Sequence, residues 1–249
     1  MRIRTATVGL VLTSVALAGC SAAAHDAGTA GGHRASAPAA DAHPERDTAR
    51  IPGIGAALRA RIPADSRQVV AVYGRGRDSA DSLAALYTRR GDRWHREASW
   101  PAHNGRRGWT PDHHEGDKRS PIGVFTLSDA GGVLPAPGVR LPYTRSAAFT
   151  APSYWKPNYR HDFDLVIAID YNRLTGTSPL DPTRPRGGSK GGGIWLHLDH
   201  GSGTSACVSL PKEGMRTLLR TLDPDRHPVI VMGDRAALAQ DGPQGSPQD

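Results

Sequence analysis

Residues 194–211, IWLHLDHGSGTSACVSLP, place two short apolar runs on either side of a loop rich in glycine and serine. Short apolar runs bounded by Gly, Pro and Asp are typical of β-strands. The stretch also contains Cys207, with His197 ten residues and His200 seven residues before it. It predicts a strand that ends near a histidine, a tight loop, and a cysteine at the entrance to the next apolar run.

The same strand pattern recurs along the chain, at residues 68–74, 82–89, 93–100, 123–127, 164–171, 193–198 and 228–233. Helical spacing is found in residues 211–222, PKEGMRTLLRTL, where apolar side chains fall on one face: Met215, Leu218, Leu219 and Leu222. Several strands and one helix predict a mostly β domain of the sandwich or barrel type, with a short helix after Cys207.

The N-terminus has the layout of a secretory signal peptide. Residues 1–20 run from basic Arg2 and Arg4 through an apolar stretch to small residues. The last four, Leu-Ala-Gly-Cys, resemble the bacterial lipobox, which implies a lipid on Cys20. A plain signal peptide cleaved nearby is the alternative. We expect an exported protein, anchored to the outer face of the membrane by lipid, or secreted if Cys20 is not lipidated.

Composition predicts the remaining boundaries. Residues 21–50 have almost no large apolar side chain and predict a flexible tether. Residues 51–233 form the expected folded domain, and residues 234–249 are expected to be a disordered tail. The net charge is +7, but the arginines are scattered and no basic run is interleaved with aromatic residues. That pattern argues against a nucleic-acid partner and suits an anionic cell envelope.

Cys207 has two interpretations. With Cys20 lipidated it has no disulfide partner, so it is either an inert buried thiol or a nucleophile. A nucleophilic thiol needs a neighbouring base, and acyl chemistry needs N–H donors for the developing oxyanion. His197, at the end of an apolar strand, is the favoured base, and His200 in the loop is its rival. Asp199 or a backbone carbonyl is expected to orient the imidazole.

Three segments together resemble one enzyme family. The segment IWLH…TSACVSL, the segment EGDKRSPIGVFTLSDA (115–130) and the segment DLVIAIDYN (164–172) resemble motifs of the L,D-transpeptidases, the YkuD-like cell-wall enzymes. They occur in the family's order within residues 66–232. The resemblance implies a YkuD-like β-sandwich or barrel.

The resemblance also implies a chemistry that needs no cofactor. Cys207 attacks a peptidoglycan stem tetrapeptide to form a thioester, His197 acts as general base, and an amine or water resolves the acyl-enzyme. Further positions are expected to bind substrate or its oxyanion: Thr204, Ser205, Ala206, Lys190, Ser120 and Gly123. Lys190 and Arg186 lie in the glycine-rich stretch 186–193, which is expected at the rim of the cleft, where they would meet substrate carboxylates.

The sequence departs from the family pattern beside the cysteine. Ser205 and Ala206 stand where many members have histidine and glycine, and the His-to-Cys spacing is short. A catalytically weak peptidoglycan-binding lipoprotein is therefore the second hypothesis, and an L,D-carboxypeptidase a third.

A zinc-dependent envelope hydrolase is the remaining alternative. The candidate ligands are His113, His114, Glu115, His197, Asp199, His200 and Cys207. Residues 113–117, HHEGD, lack the H-E-x-x-H spacing of a helical zinc site, so no metal is expected.

Overall fold

The computed structural model describes residues 47–241. The predicted signal peptide, the lipid site at Cys20 and residues 21–46 of the predicted tether lie outside the described residues. Residues 242–249 of the predicted tail do so too. None of the helices formed by residues 47–241 has the length and apolar content to cross a membrane.

Within that range the chain forms strands β1 to β12 and helices α1 to α3. The strands are β1 Gln68–Gly74, β2 Asp81–Arg90, β3 Arg93–His103, β4 Trp109–Thr110, β5 Ser120–Pro121, β6 Gly123–Thr126, β7 Ala130–Gly132, β8 Tyr143–Arg145, β9 Val166–Ala168, β10 Trp195–Leu198, β11 Val208–Leu210 and β12 Val229–Asp234. The helices are α1 Ala56–Arg59, α2 Lys212–Thr221 and α3 Arg235–Leu238.

Ten of these strands form one curled sheet, a half-barrel, in the order β6-β12-β1-β2-β3-β11-β10-β9-β7-β8. Strands β1, β2 and β3 form an antiparallel meander, while β12 lies parallel to β1 and β10 lies parallel to β11. Strands β4 and β5 pair separately. The prediction of a mostly β fold is confirmed.

The central strands are buried on both faces. Val70 and Val72 of β1 pack into one apolar cluster, and Val69 and Ala71, which point the other way, pack into a second. Strand β12 divides its side chains between the two clusters in the same manner. This explains why both strands read as continuous apolar runs rather than as alternating ones.

Helix α2 follows β11 and covers the first cluster. It begins after Pro211, and the apolar side chains predicted to share one face are all fully buried: Met215, Leu218, Leu219 and Leu222. Full burial of one such side chain contributes about 1.5–3 kcal/mol. The helix therefore fixes the sheet just beyond the cysteine.

The folded part of the chain extends a few residues beyond each predicted boundary of the domain. Thr48 pairs with Trp94 of β3 through two backbone hydrogen bonds, of 3.1 and 2.8 Å, so the fold includes the end of the predicted tether. At the other end, the Asp234 carboxylate accepts hydrogen bonds from the first turn of α3, and Leu238 is fully buried. Residues 234–241 are thus structured. The sequence did not predict this short helix, because one capping residue, Asp234, and one buried apolar residue, Leu238, are too few to give a periodic pattern.

Leu238→Ala should lower the free energy of unfolding by about 2–5 kcal/mol, because it removes a fully buried side chain. Urea denaturation measures this change. Gln240→Ala, at an exposed position of the same segment, is the control and should stay within about 0.5 kcal/mol of wild type. Equal, small effects of the two substitutions would show that Leu238 is not packed and would support a disordered tail from residue 234.

Candidate functional site

The parallel pairing of β10 and β11 brings Cys207 and His197 to one face of the sheet. Leu196 pairs with Val208 and His197 with Ser209, so Cys207 lies beside Trp195, one residue before β11. Side chains alternate along a strand, which puts Trp195 and His197 on the face opposite the core residues Leu196 and Leu198. The spacing between strands then separates the Cα atoms of Cys207 and His197 by about 8 Å. At that separation the thiol and the imidazole can contact each other.

Two buried hydroxyls hold the loop that enters Cys207. Ser120 Oγ donates to the Ala206 carbonyl at 2.6 Å and accepts from the Gly105 N–H at 2.9 Å. Thr204 Oγ1 donates to the Cys207 carbonyl at 2.7 Å. Ser120 and Thr204 were expected to contact substrate or its oxyanion. Their hydroxyls fix the backbone on either side of the cysteine, and Thr204 also lines the cleft described below.

The neighbours of the Cys207 sulfur keep it protonated at rest. Sγ accepts a hydrogen bond from the Trp195 N–H at 3.4 Å and donates to the Gly193 carbonyl at 3.8 Å. Burial raises the pKa of the thiol to about 11, outweighing the opposite effect of the Trp195 N–H. At neutral pH the group is therefore a thiol, and a base must remove its proton before it attacks.

His197 has the geometry of such a base. Its side chain is buried, and Nδ1 lies 2.8 Å from the Leu198 carbonyl oxygen. A carbonyl only accepts, so Nδ1 carries the proton and Nε2 keeps a free lone pair. Burial also lowers the pKa of His197, so the ring is neutral at neutral pH. The backbone carbonyl, one of the two predicted partners, orients this imidazole.

The pKa of His200 is shifted in the opposite direction. Its side chain is 2% exposed, and Nδ1 lies 2.9 Å from the buried Asp162 carboxylate. Burial alone would lower the pKa of His200, but the hydrogen bond and charge of Asp162 outweigh it and raise the pKa. The ring stacks on His197, with centroids 6.2 Å apart and planes inclined by 13°. A raised pKa favours the protonated ring, which has no free lone pair, so the pKa shifts favour His197 over His200 as the base.

Asp199, the other predicted orienting group, lies on a different network. Its carboxylate accepts from His103 Nδ1 at 2.8 Å and from Ser209 Oγ at 2.6 Å. Burial alone would raise the pKa of Asp199, but these two hydrogen bonds lower it. Asp199 therefore stays ionised and ties β3 to β11, rather than orienting His197.

A cleft of about 370 Å³ opens over these groups. Cys207, His197, His200 and Ser205 line it together with a segment that the sequence analysis did not single out, residues 154–163. That segment contributes mainly aromatic and ionisable side chains: Tyr154, Trp155, Lys156, Tyr159, Asp162 and Phe163. The signal in the sequence is the aromatic density of SYWKPNYRHDF (153–163), which matches neither a strand nor a helix period.

Two predicted substrate-binding residues lie elsewhere. Lys190 Nζ forms an ion pair with Asp112 at 2.6 Å, and Gly123 pairs with Met232 within the sheet. Neither lines the cleft. Arg186 stacks over the Tyr171 ring at 4.3 Å. Lys190 and Arg186, which were expected to contact substrate carboxylates, do not line this cleft, and both cations are engaged at the glycine-rich loop.

The candidate zinc ligands are divided between two places. His113 packs against Tyr171 and lies 3.0 Å from Asp117, whereas His197, His200 and Cys207 line the cleft. Among residues 47–241, no three His, Cys, Asp or Glu side chains are grouped so as to hold one metal ion.

Comparisons with known proteins add a distant similarity. No family model and no curated protein matches the chain. Among solved structures, the chain is similar to Bd1075 of Bdellovibrio bacteriovorus, with 19% identity, a TM-score of 0.38 and coverage of 68% of this chain. The match spans about half of that protein, 48% of its length. The functional conclusion therefore rests on the residues of the cleft.

Alkylation of Cys207 by iodoacetamide should accelerate about tenfold per pH unit up to roughly pH 10, because the thiolate fraction grows until the pH reaches the pKa of about 11. Peptide mapping by mass spectrometry follows the rate at Cys207. A plateau below pH 8 would show a stable thiolate and contradict the protonated resting state.

Asp162→Asn should move the pKa of His200 from above 6.5 to below it, because burial, the largest effect, is then opposed only by the smaller effects of Asp199 and the Gly203 backbone. NMR titration of the imidazole measures the shift. The control is Asp164→Asn, which removes the 3.0 Å partner of the exposed His161 on the same segment and should leave His200 unchanged. A His200 pKa that does not respond to Asp162→Asn would show that the carboxylate does not hold the charge.

Proposed function

We propose that this protein is a cysteine acyltransferase of the L,D-transpeptidase type that acts on peptidoglycan stem peptides. The observation that carries the proposal is the pairing of Cys207 with a neutral, oriented His197 in one cleft. The quoted motif and the order of the three segments support the same activity. The proposal also places the protein outside the cytoplasmic membrane, tethered through a lipid on Cys20.

The first half-reaction forms a thioester. His197 Nε2 removes the thiol proton as Sγ attacks the carbonyl carbon of the stem peptide, giving a tetrahedral oxyanion. The Ser205 and Ala206 N–H groups donate to no backbone carbonyl within residues 47–241, and they are the donors we assign to this oxyanion. The imidazolium then passes the proton to the leaving amine, and the C–N bond breaks.

The second half-reaction restores the thiol. An amine of a neighbouring stem, or water, attacks the thioester carbonyl, and His197 takes the proton of the attacking group. The thiolate leaves, stabilised by the Trp195 N–H, and regains a proton from His197. An amine gives a cross-link, and water gives a shortened stem with a new carboxylate.

One observation favours the second hypothesis, a catalytically weak peptidoglycan-binding lipoprotein. The Cys207 thiol proton points to the Gly193 carbonyl, and the thiol pKa of about 11 opposes thiolate formation. Catalysis requires a bound substrate to turn the thiol toward His197. If substrate does not do so, the cleft binds stems without cleaving them.

Cys207→Ala should lower D-alanine release from a defined tetrapeptide stem at least about a thousandfold, because no other group in the cleft replaces the nucleophile. Mass spectrometry of the products separates hydrolysis, cross-linking and inactivity, and the acyl-enzyme adds the mass of the donor at Cys207. Release by Cys207→Ala at the wild-type rate would contradict the mechanism. Inactive wild-type protein that still binds the stem would establish the binding lipoprotein.

Measuring the acylation rate of His197 and His200 variants distinguishes which histidine acts as the base. His197→Gln should slow thioester formation about 10²–10⁴-fold, the usual contribution of a general base. His200→Gln should slow it less, because its Nδ1 is engaged with Asp162 and its raised pKa favours the protonated ring, which lacks a free lone pair. The matched control is His161→Gln on the exposed pair with Asp164, which should leave the rate unchanged. The reverse order of the two effects would assign the base to His200.

A further inference from the structure

The cleft contains two cations that are not neutralised. Arg106 and Lys156 both line it, and neither side chain forms an ion pair or hydrogen bond with any described residue. Asp162, the acidic side chain of the lining, is already paired with His200. His197 is neutral. Unpaired cations therefore outnumber unpaired carboxylates in the lining of the cleft that contains Cys207.

Both cations are held close to the cysteine loop by the backbone. The Arg106 N–H donates to the Thr204 carbonyl at 2.8 Å. Gly203 allows this approach, because a Cβ at that position would lie 2.6 Å from the Arg106 Cα atom. On the other wall, Asn158 Nδ2 donates to the His200 carbonyl at 3.2 Å, two residues after Lys156. The two cations thus reach the cleft from its two sides.

We infer that Arg106 and Lys156 form an anion-binding subsite that recognises a carboxylate next to the carbon attacked by Cys207. Arginine presents paired N–H donors that match a carboxylate, and lysine adds a compact positive charge. Clustered charge of one sign in a cleft also raises the local concentration of an oppositely charged ligand. The statement that the carboxylate belongs to an acyl donor rests on the proposed function. The binding of an anion by Arg106 and Lys156 does not depend on acyl transfer.

Two small alkylating agents test this recognition. Iodoacetate and iodoacetamide react identically: the Cys207 sulfur forms a bond to carbon, the carbon–iodine bond breaks, iodide leaves and the thiol proton goes to solvent. They differ in having a carboxylate or a neutral amide. The measurement is the ratio of the two rate constants at Cys207 in the full chain, with peptide mapping to separate this site from Cys20.

Arg106→Gln and Lys156→Gln should each lower the iodoacetate-to-iodoacetamide ratio about fivefold, the effect of one unit charge close to the anion in water. The matched controls are Arg107→Gln and Arg160→Gln, exposed cations next to the subsite in sequence that do not line the cleft. They should leave the ratio within about 1.5-fold. Equal effects of the cleft and control substitutions would overturn the inference, since they would show only a diffuse charge effect.

A second measurement distinguishes failure of the subsite from failure of the proposed function. Tetrapeptide stems ending in a carboxylate or in an amide are compared by kcat/KM, and Arg106→Gln should reduce cleavage of the acid but not of the amide. If no peptide is cleaved while the alkylation ratio still responds, the anion subsite stands and the acyltransferase does not. If both peptides are cleaved and no ratio responds, the enzyme stands and the subsite is wrong.

Discussion

The parallel pairing of β10 with β11 is the constraint on which the rest of the site depends. Adjacent parallel strands usually need a crossover of a dozen or more residues, commonly through a helix. Here residues 199–207 make the return, which is possible because both strands are very short. The register that results sets Cys207 beside Trp195 and two residues from His197 along the neighbouring strand. If β10 continued further beyond His197, the return to β11 would begin further from Cys207, and nine residues would no longer bring the cysteine beside the histidine.

The electrostatics of the cleft follow from how each group is buried. Asp162, buried beside His200, raises the pKa of that ring. Because Asp162 is paired with His200, it does not neutralise Arg106 or Lys156. His197 has a carbonyl partner instead of a carboxylate, and burial outweighs the opposing effects of Asp162 and the Leu198 carbonyl, so its pKa is lowered. Two histidines three residues apart thus have pKa values shifted in opposite directions, because one has a carbonyl partner and the other a carboxylate.

The local features of this chain are readable from its sequence, and the contacts between distant segments are not. Residues 68–74 and 211–222 have apolar patterns that only one element type fits, and the structure has β1 and α2 there. Residues 164–171 predict eight strand residues, but only Val166–Ala168 pair, because Asp170 turns to bind the buried Arg173. Asp162, Arg106 and Lys156 reach the cleft through loops without any period. Their roles depend on tertiary contacts such as the Asn158–His200 hydrogen bond.

Beside Cys207, Ser205 and Ala206 differ from the L,D-transpeptidase motif that the sequence resembles, and the structure explains how the alanine is tolerated. A glycine is required before a nucleophile only where the backbone is left-handed or where a Cβ would collide. Ala206 is not among the non-glycine residues with positive φ in residues 47–241, and its side chain packs against the first apolar cluster. The Ala206 backbone is meanwhile fixed through the Ser120 hydroxyl. The alanine is therefore accommodated without strain. Ser205, exposed at the cleft, stands where many members of the family that the sequence resembles have histidine, and the Leu198 carbonyl orients His197.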